Sequence, residues 1–560
     1  MTTRPTPPLA TADGTAPTAT PTKRARSTRA ERMAQPLARD AVKTVAAEHG
    51  ACIRPVQLRR ISTVTGDDEQ VMVACGATLA AVCPSCAERA RALRAQQCRE
   101  GWHLEDEPAL DPGPPDGGQK LLIERLADLR ARLDRAEAAG RDTRELDELL
   151  EATEAALAAT GLRGRADPDG NSGGQARRHR STRRRQDVPD MPRHTISPAT
   201  VGKVYLAPDG RSYRPSMFIT LTCPSYGPVR EDGTPVDPGE YDYQGAARDA
   251  LHFAALFDRF IQNLRRFAGF DVQYFAAIEP QRRLAPHVHM AVRGTISRNG
   301  LRKVLAATYH QVWWPATTAA RFDGDHLPAW HERSRRYLDP ATGEFLPTWD
   351  EALDAIGPVD PPRHVTRFGP KFDAQGVLAG SKDAARCIGY LTKYLTKQLG
   401  QCHEPASGPE RSHGARLVAA LEYEPCSPTS ANWLRYGITP KSPRPGLVPG
   451  ACKGKAHRPE HLGHAGHRVL VSRKWSGKTL ADHRGERQAW LLDTLGLPAA
   501  DPCTYRWEPV QPGDSDYLPP TRRVLRALAD RLEWRRLLAE ARRKARDDVT
   551  DQYSATGRAA

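Results

Sequence analysis

The chain has 560 residues, which is long enough for about two to four domains. Its 82 Lys and Arg residues against 67 Asp and Glu residues give a net charge of +15, which favours a polyanionic partner such as nucleic acid. There is no apolar run long enough to span a membrane and no apolar N-terminal signal segment, so we expect a cytoplasmic protein without a membrane partner. Eleven cysteines in such a chain indicate thiols and metal ligands, not a disulfide framework.

Three segments before residue 196 carry no catalytic motif. Residues 1–45 are rich in Thr, Pro, Ala and Arg without periodicity, which predicts a disordered basic leader. Residues 106–161 place leucines at helical spacing and break near Gly140, which predicts a helical hairpin. Residues 162–195 form a basic linker whose dense arginine run either contacts phosphate or is only solvated.

Residues 46–105 contain cysteines that predict a structural zinc site. Residues 83–86 form a C-x-x-C knuckle, and Cys75 precedes a glycine in a second turn. Either Cys52 or Cys98 could complete a set of four thiolates, which satisfies a tetrahedral zinc ion and lets a segment with little apolar core fold. The alternative is a set of free cysteines that bind no metal.

Residues 196–400 predict an α+β domain with an antiparallel sheet and flanking helices. The segment reads as strand, helix, hairpin, helix and a final tyrosine-bearing helix. Two of the helices are expected at 250–267 and 300–315. Residues 316–380 are rich in Pro, Asp and Gly, which indicates a long insertion.

A predicted hairpin within this domain brings together candidate metal ligands. The apolar run 274–278 predicts a buried strand, and two prolines bracket the turn that follows it. Residues i and i+2 of a strand share a face, so His287 and His289 project together. Closure of the hairpin would return Glu279 to the histidine pair as a third ligand. This mixed set suits Mn²⁺ or Mg²⁺ with positions open for phosphate oxygens.

A predicted helix near residue 390 carries candidate nucleophiles. Tyr390 and Tyr394 lie one turn apart on one face, and Lys393 and Lys397 follow each at +3. A lysine one turn away can favour negative charge on a phenolate or a phosphate. A tyrosine oxygen beside a metal-bound phosphate could attack it. The alternative is a ladder of core aromatic residues.

A strand upstream of the hairpin completes a series of three motifs. It carries alternating threonines, Thr220 and Thr222. The order Thr-Leu-Thr, His-hydrophobe-His and Tyr-x-x-Lys resembles the three motifs of HUH endonucleases. The amino-acid sequences of these motifs are most similar to those of replication initiators of the RepSA type, from actinomycete rolling-circle plasmids and integrative elements. The resemblance runs from about Cys52 to about Trp507.

The resemblance implies a fold, an activity and roles for single residues. It implies an HUH-type sheet and an enzyme that nicks one strand at an origin through a 5′-phosphotyrosine bond, leaving a 3′-OH primer. Single- and double-stranded origin DNA, a host polymerase and a helicase would be its partners. Tyr390, the first tyrosine of the motif, would be the nucleophile, although some relatives use two tyrosines in alternation, which leaves Tyr394 open as a second. The two threonines would contact DNA or support the site. The implied zinc ligands are Cys52, Cys75, Cys83 and Cys86.

The C-terminal residues 401–560 predict a basic accessory region that binds DNA. The histidines of 457–467 are expected in a polar loop, followed by a strand near 469–471 and a basic helix near 521–546. Two other functions remain open. A conjugative relaxase or single-strand transposase would share the site chemistry. A zinc-containing DNA-binding regulator would have no catalytic activity.

Overall fold

The computed structural model describes residues 39–104, 117–141, 143–159, 194–197, 205–210, 212–324, 326–357, 359–378, 381–393, 395–397, 407–498 and 504–556, with positions 106, 108, 115 and 399. The leader and most of the basic linker predicted from the sequence lie outside these residues. Among the residues described, no helix combines the length and apolar character needed to cross a membrane.

The N-terminal elements are α1 (Arg39–Glu48), β1 (Val56–Ser62), β2 (Asp68–Val73), α2 (Pro84–Trp102), α3 (Gly117–Ala138) and α4 (Arg144–Ala159). The central elements are β3 (Tyr205–Leu206), β4 (Ser212–Tyr213), β5 (Ser216–Thr222), α5 (Tyr243–Ala268), β6 (Gln273–Pro280), β7 (Pro286–Arg293), α6 (Arg298–Ala307), β8 (Tyr309–Val312), β9 (Ala329–His331), β10 (Arg336–Leu338), α7 (Trp349–Asp354), β11 (His364–Arg367), β12 (Phe372–Val377) and α8 (Lys382–Lys393). The last elements are α9 (Gly408–Glu422), β13 (Val469–Val471), α10 (Leu480–Thr494), β14 (Tyr505–Pro509) and α11 (Pro520–Thr556).

A five-stranded sheet of order β12-β5-β7-β6-β13 lies at the centre, and every neighbouring pair of its strands is antiparallel. All eight residues of β7 are buried, because β7 is the middle strand and both faces of the sheet are covered. The predicted α+β class with an antiparallel sheet is therefore confirmed.

One face of the sheet packs against α5. Asp242 caps the helix by accepting a hydrogen bond from the backbone N–H of Gly245, and Gly269 ends it in a left-handed conformation at φ 74°. Between these ends, phenylalanine and leucine recur at helical spacing and pack on Val288 and Met290 of β7. This layer is the largest apolar core of the described residues.

The opposite face of the sheet packs against α2 and α8. Phe218, Ala291 and Leu391 belong to this second core. Arg293 at the end of β7 is fully buried and donates hydrogen bonds to the carbonyls of Gly101, Lys474 and Trp475. An arginine side chain has five N–H donors, and a buried guanidinium requires acceptors for them. The bond to Gly101 therefore connects α2 to the sheet.

The two ends of the chain meet in a second sheet of order β14-β1-β2. Its strand β14 comes from the C-terminal part and pairs with β1 over Leu58–Ser62 and Tyr505–Pro509. Nearby, Val524 of α11 is buried against Val42 and Ala46 of α1. The N-terminal cysteine-rich module is therefore completed by residues that lie more than 400 positions away in the sequence.

Three expectations drawn from local patterns differ from the structure. The predicted insertion 316–380 contains β12, which pairs with β5 in the central sheet. The predicted helix 300–315 ends at Ala307, and the next residues form β8 because they pair with β11. Residues 401–560 do not form one region, since β13 is an edge strand of the central sheet and β14 belongs to the N-terminal sheet.

Candidate active site

The hairpin of β6 and β7 brings three candidate metal ligands together. Its register sets Glu279 opposite His287, and Ala277 opposite His289. The ligand atoms of Glu279, His287 and His289 all lie within 4.8 Å of one another. His287 Nε2 is 2.8 Å from His289 Nε2, and two imidazole nitrogens at that distance require a proton or another cation between them. The structure thus brings together the three residues that the predicted hairpin places side by side.

The neighbouring strand β5 orients one of the two rings. Thr220 pairs with His289 across the strands, and its Oγ1 is 2.8 Å from His289 Nδ1. The ring of Phe218 also stacks on the His289 ring, with the centroids 5.8 Å apart. When Nδ1 donates its proton to the threonine hydroxyl, Nε2 keeps the lone pair that a metal needs. Thr222 instead pairs with His287 and lies 3.5 Å from the Gln281 side-chain amide.

Burial controls the protonation of this group. Burial lowers the pKa of His289 to about 4, so its imidazole is neutral at physiological pH. Burial raises the pKa of Glu279 to about 7, although the positive charges of Arg468 and Lys393 oppose that rise. Glu279 Oε1 is buried and has no hydrogen-bond donor among the described residues. A divalent cation would supply the missing partner, and the two imidazoles with one carboxylate fit Mn²⁺ or Mg²⁺.

Helix α8 presents Tyr390 beside the histidines. Its apolar side, including Ile388 and Leu391, is buried in the second core. Tyr390 is 43% exposed, and its ring meets the His289 ring edge-on with the centroids 4.7 Å apart. A residue of a closed aromatic core would not keep this exposure. The Tyr390 side chain is therefore open to solvent and in contact with the His289 ring.

The other predicted residues of this helix have different positions. Helix α8 ends at Lys393, whose charge acts on Glu279 and lowers its pKa against the effect of burial. Lys397 lies beyond the helix, and its carbonyl accepts a 2.6 Å hydrogen bond from Arg468 Nη1. Tyr394 lies outside the described residues. Only the first tyrosine is therefore seen at the site.

Sequence reasoning missed Arg468. Its Nε also donates to the carbonyl of Ile278, so it joins the end of β6 to the segment after α8. The residue directly precedes β13, which pairs with β6, and long-range strand pairing alone brings it to Glu279. In the sequence, its position next to the predicted strand near 469–471 is the one local feature that could have drawn attention to Arg468.

A basic cleft of about 360 Å³ opens beside this region. It lies between α2, α10 and the segments that flank β13, and no Asp or Glu is among its lining residues. Its basic lining residues are Arg91, Arg94, Lys397, Lys455, Arg468 and Arg484. Such a concentration of positive charge attracts a polyanionic backbone.

Four thiols form a separate cluster in the N-terminal module. The ligand atoms of Cys52, Cys75, Cys83 and Cys86 lie within 4.8 Å of one another. Cys75 and Cys86 are 3.7 Å apart at Sγ, and Cys52 and Cys83 are 3.8 Å apart. Zinc–sulfur bonds of about 2.3 Å in a tetrahedron place sulfurs about 3.8 Å apart, so the cluster has the dimensions of a zinc site.

The structure also distinguishes between the two candidates for the fourth thiol. Cys98 is fully buried in the second core, away from the cluster that contains Cys52. Burial raises the pKa of Cys52, whereas hydrogen bonds from Cys83, Cys52 and Arg89 outweigh burial and lower the pKa of Cys86 to about 7. A Cys86 thiolate of this kind is ready to bind a metal near neutral pH.

Comparison with known proteins identifies the family of this chain. Residues 38–531 match the family RepSA, described as "Replication initiator protein, pSAM2". The chain belongs to this family. A curated replication initiator protein of Streptomyces ambofaciens is 27% identical over 266 residues, which cover 39% of this chain and 52% of the relative. The chain thus matches about half the length of that relative. No solved structure matches the chain.

Proposed function

We propose that this RepSA family member initiates rolling-circle replication by nicking and rejoining one DNA strand. Tyr390 would be the nucleophile, and Glu279, His287 and His289 would hold Mn²⁺ or Mg²⁺. The observation that carries the proposal is the edge-on contact of an exposed tyrosine ring with a histidine of a buried three-ligand group. An HUH-type arrangement of the central sheet is part of the same proposal.

The chemistry follows from the positions of these side chains. A cation held by Glu279, His287 and His289 would supply Lewis-acid polarisation of the scissile phosphate. Tyr390 Oη attacks phosphorus while the bond from phosphorus to the 3′ oxygen breaks, and that oxygen leaves as a 3′-hydroxyl after taking a proton. The phenolic proton passes to solvent, which reaches the exposed ring. The 5′-phosphotyrosine bond retains the energy of the broken linkage, so the reverse reaction can rejoin the strand.

Thr220 and Lys393 assist without reacting. Thr220 holds His289 in the orientation that keeps Nε2 for the metal. Lys393, at the end of the helix that carries Tyr390, favours negative charge near Glu279. The basic cleft supports passage of the DNA backbone close to this group, because Arg468 lines the cleft and its charge also acts on Glu279.

The four-cysteine cluster is assigned in the same proposal to a structural zinc ion. Its sulfur separations and its small apolar surroundings support this role. The partners would be single- and double-stranded DNA at an origin, with a host polymerase extending the 3′-hydroxyl and a helicase separating the strands. A relaxase or a transposase would use the same site, and nothing in the geometry favours either.

The test separates nicking from DNA binding. Replacing both ligands in a His287→Ala, His289→Ala double variant should abolish Mn²⁺-dependent nicking of single-stranded DNA from the replicon that encodes the chain. Duplex binding should remain, because binding depends on Lys and Arg contacts elsewhere. Both activities are measured on folded protein, with the melting temperature checked for each variant.

A matched variant should give the reverse pattern. Arg91→Ala with Arg484→Ala removes two charges from the basic cleft and leaves the metal ligands intact. DNA affinity should then fall, and the slope of log affinity against log salt should decrease by about one to two. Unchanged nicking by the folded histidine variant would contradict the metal-site assignment.

A further inference from the structure

A second group of metal-type ligands lies outside the site and outside the four-cysteine cluster. Cys426 follows α9, Cys452 lies in the next long loop, and His457 ends a short 3₁₀ helix, Lys455–His457. Their ligand atoms lie within 4.8 Å of one another, and the two sulfurs are 3.9 Å apart. The sequence predicts a polar loop at His457 and indicates no role for the two cysteines.

The histidine is held in an orientation suited to a ligand. His457 Nδ1 is 2.9 Å from the carbonyl of Leu421, so this nitrogen carries the proton and Nε2 keeps the lone pair. Nε2 is buried, and no hydrogen bond of normal geometry reaches it within the described residues. A backbone carbonyl on the second ring nitrogen is the usual support of a metal-binding histidine.

The backbone at Gly454 passes close to all three candidate ligands. A Cβ atom at Gly454 would lie 2.8 Å from Cys426 Sγ, 3.3 Å from His457 Cδ2 and 3.5 Å from Cys452 Sγ. The glycine therefore permits the loop to approach all three side chains. The Ser430 hydroxyl also donates to Cys452 Sγ at 3.4 Å, which stabilises a thiolate there.

We propose that Cys426, Cys452 and His457 bind a structural zinc ion. Two thiolates and one imidazole are the soft donors that zinc prefers, and the 3.9 Å sulfur separation is close to the value of about 3.8 Å in a tetrahedral site. A disulfide would require the sulfurs to move to about 2.05 Å. The fourth position is filled by solvent or by one further donor.

The proposed zinc ion would stabilise the loop segment 423–468. Residues 423–468 contain two short 3₁₀ helices as their regular structure, and backbone hydrogen bonds of turns and loops hold much of the rest. Asn432 ties part of it by donating to the carbonyls of Glu422 and Glu424. Zinc would join Cys426 to Cys452 and His457 across this stretch, which ends at Arg468 and β13, beside Glu279. The proposal does not depend on the nicking activity.

The first measurement is made on the unmodified full-length protein. Cys426 and Cys452 are partly exposed, so free thiols there would react with an alkylating reagent. We expect both to be protected in the purified protein and to be alkylated, as mapped by peptide mass spectrometry, after zinc is removed by a chelator. Equal labelling with and without chelator would overturn the proposal, as would recovery of the two cysteines in one disulfide-linked peptide.

The second measurement is the zinc content of variants by elemental analysis. Cys452→Ser and His457→Ala should each lower the content by about one zinc per chain relative to the unmodified protein. Cys387→Ala is the matched control, because Cys387 is a buried cysteine in the second core and should leave the content unchanged. Cys83→Ser reports separately on the four-cysteine cluster. Retention of the full content by Cys452→Ser and His457→Ala would contradict the second site.

Discussion

Thr220 shows how one hydroxyl can set the chemistry of the site. The hydrogen bond to His289 Nδ1 fixes the ring, and the ring in turn contacts both His287 and Tyr390. Since burial keeps His289 neutral, the direction of its lone pair depends on this contact. We therefore expect Thr220 to influence metal affinity through the orientation of His289.

The variant Thr220→Val tests this role. Valine has nearly the same shape but cannot bond to Nδ1, so affinity for Mn²⁺ should fall about 10–100-fold, as found when supporting partners of metal ligands are removed. Isothermal titration of the folded protein measures the effect. Thr222→Val is the control on the same strand, because Thr222 bonds weakly to Gln281 and should change the affinity little. Equal losses in the two variants would argue against the role of Thr220.

Single residues also show what the sequence could provide. The spacing of His287 and His289 predicts a shared face because strands repeat every two residues, and a hairpin returns Glu279 to them. Arg468 and the group of Cys426, Cys452 and His457 could not be predicted in this way. Their neighbours depend on β13 pairing with β6 and on loop packing, and these contacts have no local period.

At the scale of elements, helix α11 has a clear structural role. Its first turns pack on α1 through Val524, which is 3% exposed, whereas Leu537 further along is 37% exposed. The arginine-rich pattern of the helix left open whether it lies on DNA or is solvated. Packing on α1 is a third role, and the pattern missed it because Val524 is one apolar residue among many charges.

The pair of variants Val524→Asp and Leu537→Asp tests this packing. A buried, unpaired carboxylate should weaken the contact of α1 with α11 by about 2 kcal/mol or more. Hydrogen exchange in residues 39–48 should then become faster. Leu537→Asp adds the same charge at an exposed place and should leave exchange unchanged. No difference between the two variants would show that α11 does not stabilise the N-terminal module.

The sequence predicts some strands together with their pairing partners, whereas the pairing of other strands cannot be predicted from it. The hairpin of β6 and β7 follows from two apolar runs and a proline-bracketed turn. Strand β12 has a polar, glycine-containing sequence, FDAQGV, and was assigned to an insertion. It is a strand because its backbone pairs with β5. It lies at the edge of the sheet, where a strand does not need to bury every side chain.

At the scale of the whole molecule, three separated parts of the chain meet around one sheet. The hairpin supplies the candidate metal ligands, α8 supplies Tyr390, and the segment before β13 supplies Arg468. The net charge of +15 fits a DNA partner for this assembly. The central claim is that this meeting point forms a covalent bond to DNA through Tyr390.

The most direct test is to look for that bond. The protein is incubated with Mn²⁺ and single-stranded oligonucleotides that tile the replicon encoding the chain, and the products are separated under denaturing conditions and mapped by mass spectrometry. We predict a 5′-linked adduct on Tyr390, absent in Tyr390→Phe and normal in Tyr394→Phe, since phenylalanine keeps the ring but removes the attacking oxygen. A folded Tyr390→Phe protein that forms the adduct at the normal level would contradict the account.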